Sequence, residues 1–313
     1  VLTAQPASNV VLTITSSDTG EATVTTPLTF TNANWNTPQT VTVTGVDDSG
    51  VVDGDQVSTL TIAVDDANSD NDFDDVANQT VSATTIDDDV AGFTVAQTDG
   101  STSVAETGTT DTFTVVLTAQ PTSNVVLTIT SSDTGEASVA PSSLTFTPAN
   151  WNSAQTVTVT GVDENVVDGD QNSNITVAVL DAASDDSFDD LADQTVSATT
   201  TDNDVAGFTV AQTDGSTSVA ETGTTDTFTV VLNAQPTSNV VLTITSSDTG
   251  EATVNTPLTF TNANWDTPQT VTVTGVDDDI IDGTITSTIT IAVDDASSDN
   301  DFDPVADQTV SAT

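Results

Sequence analysis

The segment VLTAQPASNVVLTITSSDTGEATV at Val1 returns as VLTAQPTSNVVLTITSSDTGEASV at Val116 and as VLNAQPTSNVVLTITSSDTGEATV at Val231. The three starts stand 115 residues apart. Self-similarity at a fixed period means that the chain is an array of one structural unit. Length alone suggests about two domains at ~150 residues each; the repeat raises the expected count to three. Near-identity between copies implies recent duplication, as in spacers, stalks and fibres, and enzymes rarely need three copies of one domain.

Each copy is written in strands. In the middle copy TFTVVLT at 112–118, NVVLTIT at 124–130, QTVTVT at 155–160, ITVAV at 175–179 and TVSAT at 195–199 alternate apolar residues with Thr. Period-2 patterning with β-branched residues, separated by turn residues, reads as half-buried strands. No segment carries a 3.6-residue period with helix caps. Seven or so short strands in about 110 residues predict an all-β chain of tandem Ig-like Greek-key β-sandwiches. Trp35, Trp151 and Trp265 each stand in LTFTxANW just before QTVTVTG; one Trp per copy reads as a core plug at the corner between the fourth and fifth strands rather than as a ligand platform.

The acidic triplets DDD at 87–89 and DND at 202–204 precede VAGFTVAQTDGSTSVAETG. They read as linkers, so the expected units are 1–89, which lacks its first strands, then 90–204, complete, and 205–313. An incomplete sandwich exposes unpaired backbone; upstream sequence or a neighbouring copy, by strand sharing, would supply the strand. The chain has no Met, so no initiator, and begins mid-pattern, as expected of a fragment or mature segment.

Charge narrows the function classes. The 313 residues contain no Lys, Arg or His and 48 Asp and Glu, a formal net charge of −48. Side-chain salt bridges are therefore excluded, and every carboxylate is expected to face water or an external cation; self-repulsion opposes compaction. Nucleic acid and anionic membranes both need a basic patch, so neither is a partner. No apolar run approaches ~20 residues. Without Cys there are no disulfides and no thiol chemistry. With no His, Cys, Lys, Arg or Tyr to act as base or nucleophile beside the Ser and Thr, an enzyme is not expected.

The acids recur in three places. After QTVTVTG stand Asp47, Asp48 and Asp53, then Asp163, Glu164 and Asp168, then Asp277, Asp278, Asp279 and Asp282. Between the last two strands stand Asp70, Asp72 and Asp74, then Asp185, Asp186 and Asp189, then Asp299, Asp301 and Asp303. The linkers add Asp87, Asp88 and Asp89, and Asp202 and Asp204; lone glutamates are Glu106 and Glu221 in VAETG and Glu21, Glu136 and Glu251 in DTGEA. Loops alternate between the ends of a sandwich. That parity gathers Glu106, Glu136, Asp163, Glu164 and Asp168 around the exit linker, where the next unit docks with its own loop between the last two strands. Clustered carboxylates suit Ca²⁺, which takes 6–8 oxygen ligands; Mg²⁺ prefers fewer protein ligands, and Zn²⁺ and Cu²⁺ want His or Cys. A solvated acidic surface is the alternative. The D-x-D-x-D loop lacks the Gly and Glu of an EF-hand, and stays open between the two.

GVDDDIIDG at 275–283, VAETGTTDTFTVVL at 104–117 and the DDD or DND linker before AGF together resemble the Calx-beta domain family, over essentially the whole chain as tandem copies. The resemblance implies Ca²⁺ bound at the distal end of an Ig-like sandwich, with Glu106, Asp163, Glu164, Asp168 and Asp202 in one site and Glu136 as an approximate match. Copy one departs by an inserted residue in DDSGVVD, and copy two by Asn165 where copy three has Asp279. The array also looks like those of bacterial surface adhesins and filaments. The expectation is an extracellular or cell-surface, non-enzymatic fibre or stalk, calcium-stiffened at its junctions, whose partners are further copies of itself. A cell-surface module binding a glycan or protein is the alternative. The sequons at Asn78 and Asn174, and the many Thr and Ser, are candidate glycan sites.

Overall fold

The structure is a computed structural model and describes residues 1–281 and 283–313. The middle copy shows the architecture in full. One sheet runs, in order of neighbours, Ala137–Ala140, Gln155–Gly161, Thr110–Leu117 and Phe93–Gln97. The other runs Ser143–Phe146, Val125–Ser131, Gln171–Val179, Gln194–Thr201 and Thr102–Ala105. The sequence alternation decides which face of each strand enters the space between them. Phe113, Val115 and Leu117 point inward from one strand, Val157 and Val159 from the next, and Val125, Leu127 and Ile129 from the opposite sheet, all buried in one core. The intervening Thr residues cover the outer faces, because successive side chains on a strand point to opposite sides.

The expected seven strands are present, but the first and the fourth are each divided between the sheets. Phe93–Gln97 pairs with Thr110–Leu117, and after a turn Thr102–Ala105 joins Gln194–Thr201 in parallel. Ala137–Ala140 pairs with Gln155–Gly161, and beyond Pro141, which has no N–H to give a ladder, Ser143–Phe146 pairs with Val125–Ser131. The crossing of the first strand brings its backbone hard against Gly161, where a Cβ would lie 2.1 Å from the Ala105 carbonyl oxygen. Gly275 stands in the same relation to Ala220, at 2.2 Å. Glycine is the one residue that fits there.

The third copy repeats this plan, with sheets Phe208–Gln212, Thr225–Leu232, Gln269–Gly275, Ala252–Val254 and Leu258–Phe260, Val240–Ser246, Ser287–Val293, Gln308–Ala312. Phe228, Phe260 and Phe302 fill its core as Phe113, Phe146 and Phe188 fill the second. Trp151 and Trp265 pack against these cores, and their carbonyls accept the amides of Leu117 and Leu232 at 3.2 and 3.1 Å. Both are only partly buried, so they lie against the core rather than within it as a plug would.

The first copy has the sheet Leu28–Phe30, Val10–Ser16, Gln56–Val64, Gln79–Thr85, but opposite it only the pair Ala22–Val24 and Val43–Gly45. Residues of the same sequence consequently meet different surroundings. Val43 is 43% exposed, whereas its counterparts Val159 and Val273 are wholly buried.

The copies are joined by backbone. Val51–Val52, beyond Val43–Gly45 in the first copy, pairs in parallel with Gln120–Pro121 of the second. Val52 lies within the second copy's core. At the next junction Val166 bridges Gln235 in parallel, and Val167 packs against the third copy's core. The first and second copies thus each insert the tip of one acidic loop into the copy that follows.

Gly161→Ala is expected to cost about 1–3 kcal/mol, the range for overpacking a filled site. Gly45→Ala, whose Cβ would meet only a Thr85 methyl at 3.6 Å, is expected to stay within about 0.5 kcal/mol. Chemical denaturation of the two variants beside the parent chain measures both; equal losses would contradict the difference in packing described here.

Candidate metal centre

The acidic residues of the middle copy converge at the end that faces the third. Glu106 follows Thr102–Ala105, Glu136 precedes Ala137–Ala140, Glu164 and Asp168 lie in the loop between Gln155–Gly161 and Gln171–Val179, and Asp202 and Asp204 follow Gln194–Thr201. Glu106, Glu136, Glu164 and Asp168 each place one carboxylate oxygen within 4.8 Å of the others'. Glu106, Asp202 and Asp204 form a second such group. Two oxygens that share a Ca²⁺ at 2.3–2.6 Å can stand no farther apart than about this distance.

Glu106 belongs to both groups and is completely buried. Its Oε2 accepts the Asn203 amide at 3.0 Å, while its Oε1 has no hydrogen-bond partner. One oxygen each of Glu136, Glu164, Asp168 and Asp204 is likewise buried and unpartnered. Burial without a counter-charge disfavours the ionised form. Burial, and then the neighbouring charges of Asp168, Glu136 and Glu106, push Glu164 up to about 7. Burial foremost, followed by like charges, also raises Glu136 and Asp204. In Glu106 it outweighs the lowering effect of the Asn203 amide. The four carboxylates of Glu106, Glu136, Glu164 and Asp168, each with an oxygen turned to the others, are of the kind that could hold a hard cation.

The residues expected from sequence are distributed as follows. Glu106, Glu164 and Asp168 come together, and Glu136 joins them directly. Asp163 stands beside them, its Oδ1 accepting the Asn203 side-chain amide at 3.1 Å, outside either group. In the first copy Glu21, Asp48 and Asp53 form one group and Asp47, Asp88 and Asp89 another. Asp87 joins neither: its carboxylate accepts the amides of Asp53, Gly54 and Asp89, at 3.1, 2.7 and 2.8 Å, and these hold it below its ordinary value. In the third copy Glu221 and Glu251 line one cavity with Gly283 and Thr284. Among the described residues Asp277, Asp278 and Asp279 form no group with them; Asp282 lies outside the described residues. Asn78 and Asn174 are exposed.

The loop between the last two strands corrects an expectation. Asp70, Asp185 and Asp299 are 8%, 5% and 4% exposed, so they neither face water nor stand in a group that could share a cation. The Asp185 carboxylate accepts the amides of Thr122, Ser123 and Ser187 at 2.8, 2.8 and 3.1 Å and the Thr122 hydroxyl at 2.7 Å. Asp70 takes the amides of Ala7, Ser8 and Asp72, and Asp299 those of Ser238 and Asp301 with the Thr237 hydroxyl. Burial alone would raise Asp185 and Asp299, yet the hydrogen bonds win and all three are lowered. Each caps a 3-10 turn and pins the loop after the second long strand to the loop before the last one. The run of acids in this loop was visible in sequence; the capping role of its first Asp was not. Asp301 of this loop does feel Asp202 and Asp168 of the preceding copy, after burial and Asp299, which places it at the junction without entering either group.

No protein-family model matches this chain, and no curated protein sequence does. Among solved structures it is similar to surface layer protein SbsC, domains 4–9, at 18% identity and a TM-score of 0.29, over 96% of this chain and 38% of that one. It is also similar to the calcium binding domain CBD12 of CALX1.1, at 14% identity and 0.26, over 64% of this chain and 80% of that one. A third likeness is to SSP-19, an MSP-domain protein like family member in Caenorhabditis elegans, at 18% identity and 0.24, over 34% of this chain and 97% of that one. The chain thus spans well under half of the SbsC chain it matches. No helix is long and apolar enough to cross a membrane among the described residues.

Two outcomes follow for the isolated chain. Asp185→Ala leaves buried amides without acceptors, at a cost of about 1–3 kcal/mol, and the loss should be the same in chelator as in Ca²⁺ when read by denaturant titration. Glu164, raised to about 7, binds more protons folded than unfolded between its ordinary and its raised value. Its contribution is therefore fully present below the ordinary value and lost as pH rises through about 7. In chelator the melting temperature should fall from pH 5.5 to 8, and Glu164→Gln should flatten that fall; a melting temperature that instead climbs over this range would refute the assignment.

Proposed function

We propose that residues 1–313 are a stretch of a non-enzymatic extracellular fibre, filament or adhesin stalk, built of three β-sandwich units, 1–89, 90–204 and 205–313, with Ca²⁺ stiffening the junctions. The observation that carries this reading is the Glu106 carboxylate, fully buried, with one oxygen unpartnered and shared between two acidic groups at the end facing the next copy. A buried charge left unpaired costs several kcal/mol, and a divalent cation shared by Glu106, Glu136, Glu164 and Asp168 would offset that cost.

The geometry supports a mechanical role because binding and joining use the same loop. Glu164 and Asp168 bracket Asn165–Val167 in sequence. Within that bracket the Asn165 carbonyl accepts the Gln235 amide at 2.6 Å, and the Val167 amide donates to the Gln235 carbonyl at 3.0 Å. A cation held by Glu164, Asp168, Glu136 and Glu106 fixes the loop from inside its own copy, and the fixed loop presents its backbone to the next. The first junction repeats the relation, with Asp48 and Asp53 on either side of Gly50–Val52 and the Gly50 carbonyl accepting the Gln120 amide at 2.6 Å. Chemistry on a substrate has no support in the residues present: His, Cys, Lys, Arg and Tyr are all missing from the sequence.

Thermal melting in millimolar Ca²⁺, in Mg²⁺ and in excess chelator tests this. Binding to the folded state alone stabilises by RT ln(1 + [L]/Kd), about 2.7 kcal/mol at a hundredfold excess over Kd. A clear upward shift in Ca²⁺, reduced by Glu106→Gln, is the expected result. Identical melts in Ca²⁺ and chelator would remove calcium from the account and leave a solvated acidic spacer.

A further inference from the structure

The two joints between copies are built alike and end on different residues. At the second joint Gln235 exchanges two backbone hydrogen bonds with the loop that carries Glu164 and Asp168, giving its amide to the Asn165 carbonyl and accepting the Val167 amide. Two and three residues on, the Thr237 hydroxyl and the Ser238 amide donate to one oxygen of the Asp299 carboxylate at 2.7 and 2.6 Å. The other Asp299 oxygen accepts the Asp301 amide at 3.2 Å. One run of hydrogen bonds thus leads from the second copy's acidic loop, through Gln235 and Asp299, to the backbone of Asp301.

Asp301 then faces back across the joint. It lines a cleft with Val167 and Asp204 of the second copy and with Pro304 and Val305 of its own. Burial and Asp299 raise its carboxyl first, and Asp202 and Asp168 of the second copy follow. These are like charges, and the chain has no cationic side chain to set against them.

The group beside the cleft supplies an independent sign. Glu106, Asp202 and Asp204 each turn one carboxylate oxygen to the others. Glu106 is completely buried with Oε1 unpartnered, and Asp204 keeps Oδ2 buried and unpartnered. Asp301 is not a member of this group, so its reach is one water longer. Ca²⁺ counts waters among its 6–8 oxygen ligands, and such a water has protons to donate to a carboxylate farther out.

The first joint has the same run and a different end. Gln120 gives its amide to the Gly50 carbonyl, the amides of Thr122 and Ser123 donate to Asp185, and Asp185 accepts the Ser187 amide at 3.1 Å. Ser187 thus holds the place of Asp301. The acid of this turn comes one position earlier, at Asp186, where its charge acts on Asp189 of its own copy. Across the joint, the charges that raise Asp48, after burial, are Asp53, Asp89 and Asp87 of the first copy.

We propose that a cation at the second joint is held from both copies: Glu106, Asp202 and Asp204 bind it, and Asp301 of the third copy accepts a hydrogen bond from one of its water ligands. The first joint, with Ser187 in that place, is held from one copy only, so the array has one tighter and one looser joint. The role of Asp301 rests on the calcium reading above; the inequality of the joints goes beyond it.

The test uses the full chain, in which the absence of Cys makes engineered cysteines the sole labelling sites. Thr59, Asn174 and Thr288 are exposed and hold the same place in the three copies. Thr59→Cys with Asn174→Cys spans the first joint, and Asn174→Cys with Thr288→Cys the second. Spin-label distances are read in Ca²⁺ and in chelator, and calorimetry reads Ca²⁺ affinity. The expected result is a distance distribution that narrows in Ca²⁺ more across the second joint than across the first. Asp301→Ser, which copies the turn the second copy already folds, should remove that extra narrowing. It should also weaken by about fivefold the Ca²⁺ binding that Glu106→Gln abolishes. Ser187→Asp should narrow the first joint in Ca²⁺. Asp295→Ser, an equal loss of charge on an exposed residue outside the cleft, should change neither reading. An Asp301→Ser chain that binds Ca²⁺ and narrows as the parent does overturns the role of Asp301 and leaves the calcium reading standing. So does Asp295→Ser matching Asp301→Ser in both readings, since charge alone would then be the cause. A parent chain that takes up no Ca²⁺ overturns both.

Discussion

The fold depends on how a chain without a single cationic side chain disposes of its carboxylates. Water takes most of them. The buried ones divide into two kinds by what their oxygens meet. Asp185 and its counterparts Asp70 and Asp299 meet backbone amides and hydroxyls, which replace hydration, and their acidity rises. Glu106, Glu136 and Glu164 meet one another, and their acidity falls. The first kind is complete as it stands and serves the fold in every copy. The second kind is incomplete without something positive, and lies where two copies join. The same residue chemistry thus marks structure in one loop and a candidate ion site in another, and the difference is donor supply.

Much of the architecture was legible because alternation in a strand has one physical meaning. TFTVVL can bury Phe, Val and Leu on one side only by turning Thr to the other, and Thr110–Leu117 does so. The tandem Ig-like sandwich follows from that alternation repeated between turns. The split of the first and fourth strands was not legible, since a run of four residues such as Thr102–Ala105 reads the same whichever sheet receives it. Nor was the pairing of Val51–Val52 with Gln120–Pro121. Two valines in an acidic loop look like ordinary loop composition until the next copy's core lies against them.

The acidic site was legible to the level of loops. Strand parity sends Glu106, Glu136, Glu164, Asp168 and Asp202 to one end, and they are there. Parity does not say which oxygens meet. Asp163, adjacent to Glu164 in sequence, turns to Asn203 instead, and Asp87 turns to the amides of Gly54 and its neighbours. Backbone amides compete for carboxylates, and that competition is decided by turn geometry within a few residues. The capping aspartates escaped the reading for the same reason: in sequence Asp185 is one more acid in a run of acids.

The three copies also separate what sequence determines from what neighbours determine. Val43 and Val159 sit in the same hexapeptide, TVTVTG, and one is exposed while the other is buried. Their intrinsic strand preference is equal, so the difference is entirely the strand alongside. Period-2 patterning therefore specifies which face of a strand wants cover, and tertiary pairing specifies whether cover is there. Each junction is made by a loop whose backbone pairs forward into the next copy and whose carboxylates face back into its own. Whatever holds those carboxylates therefore acts on the same loop that pairs with the next copy.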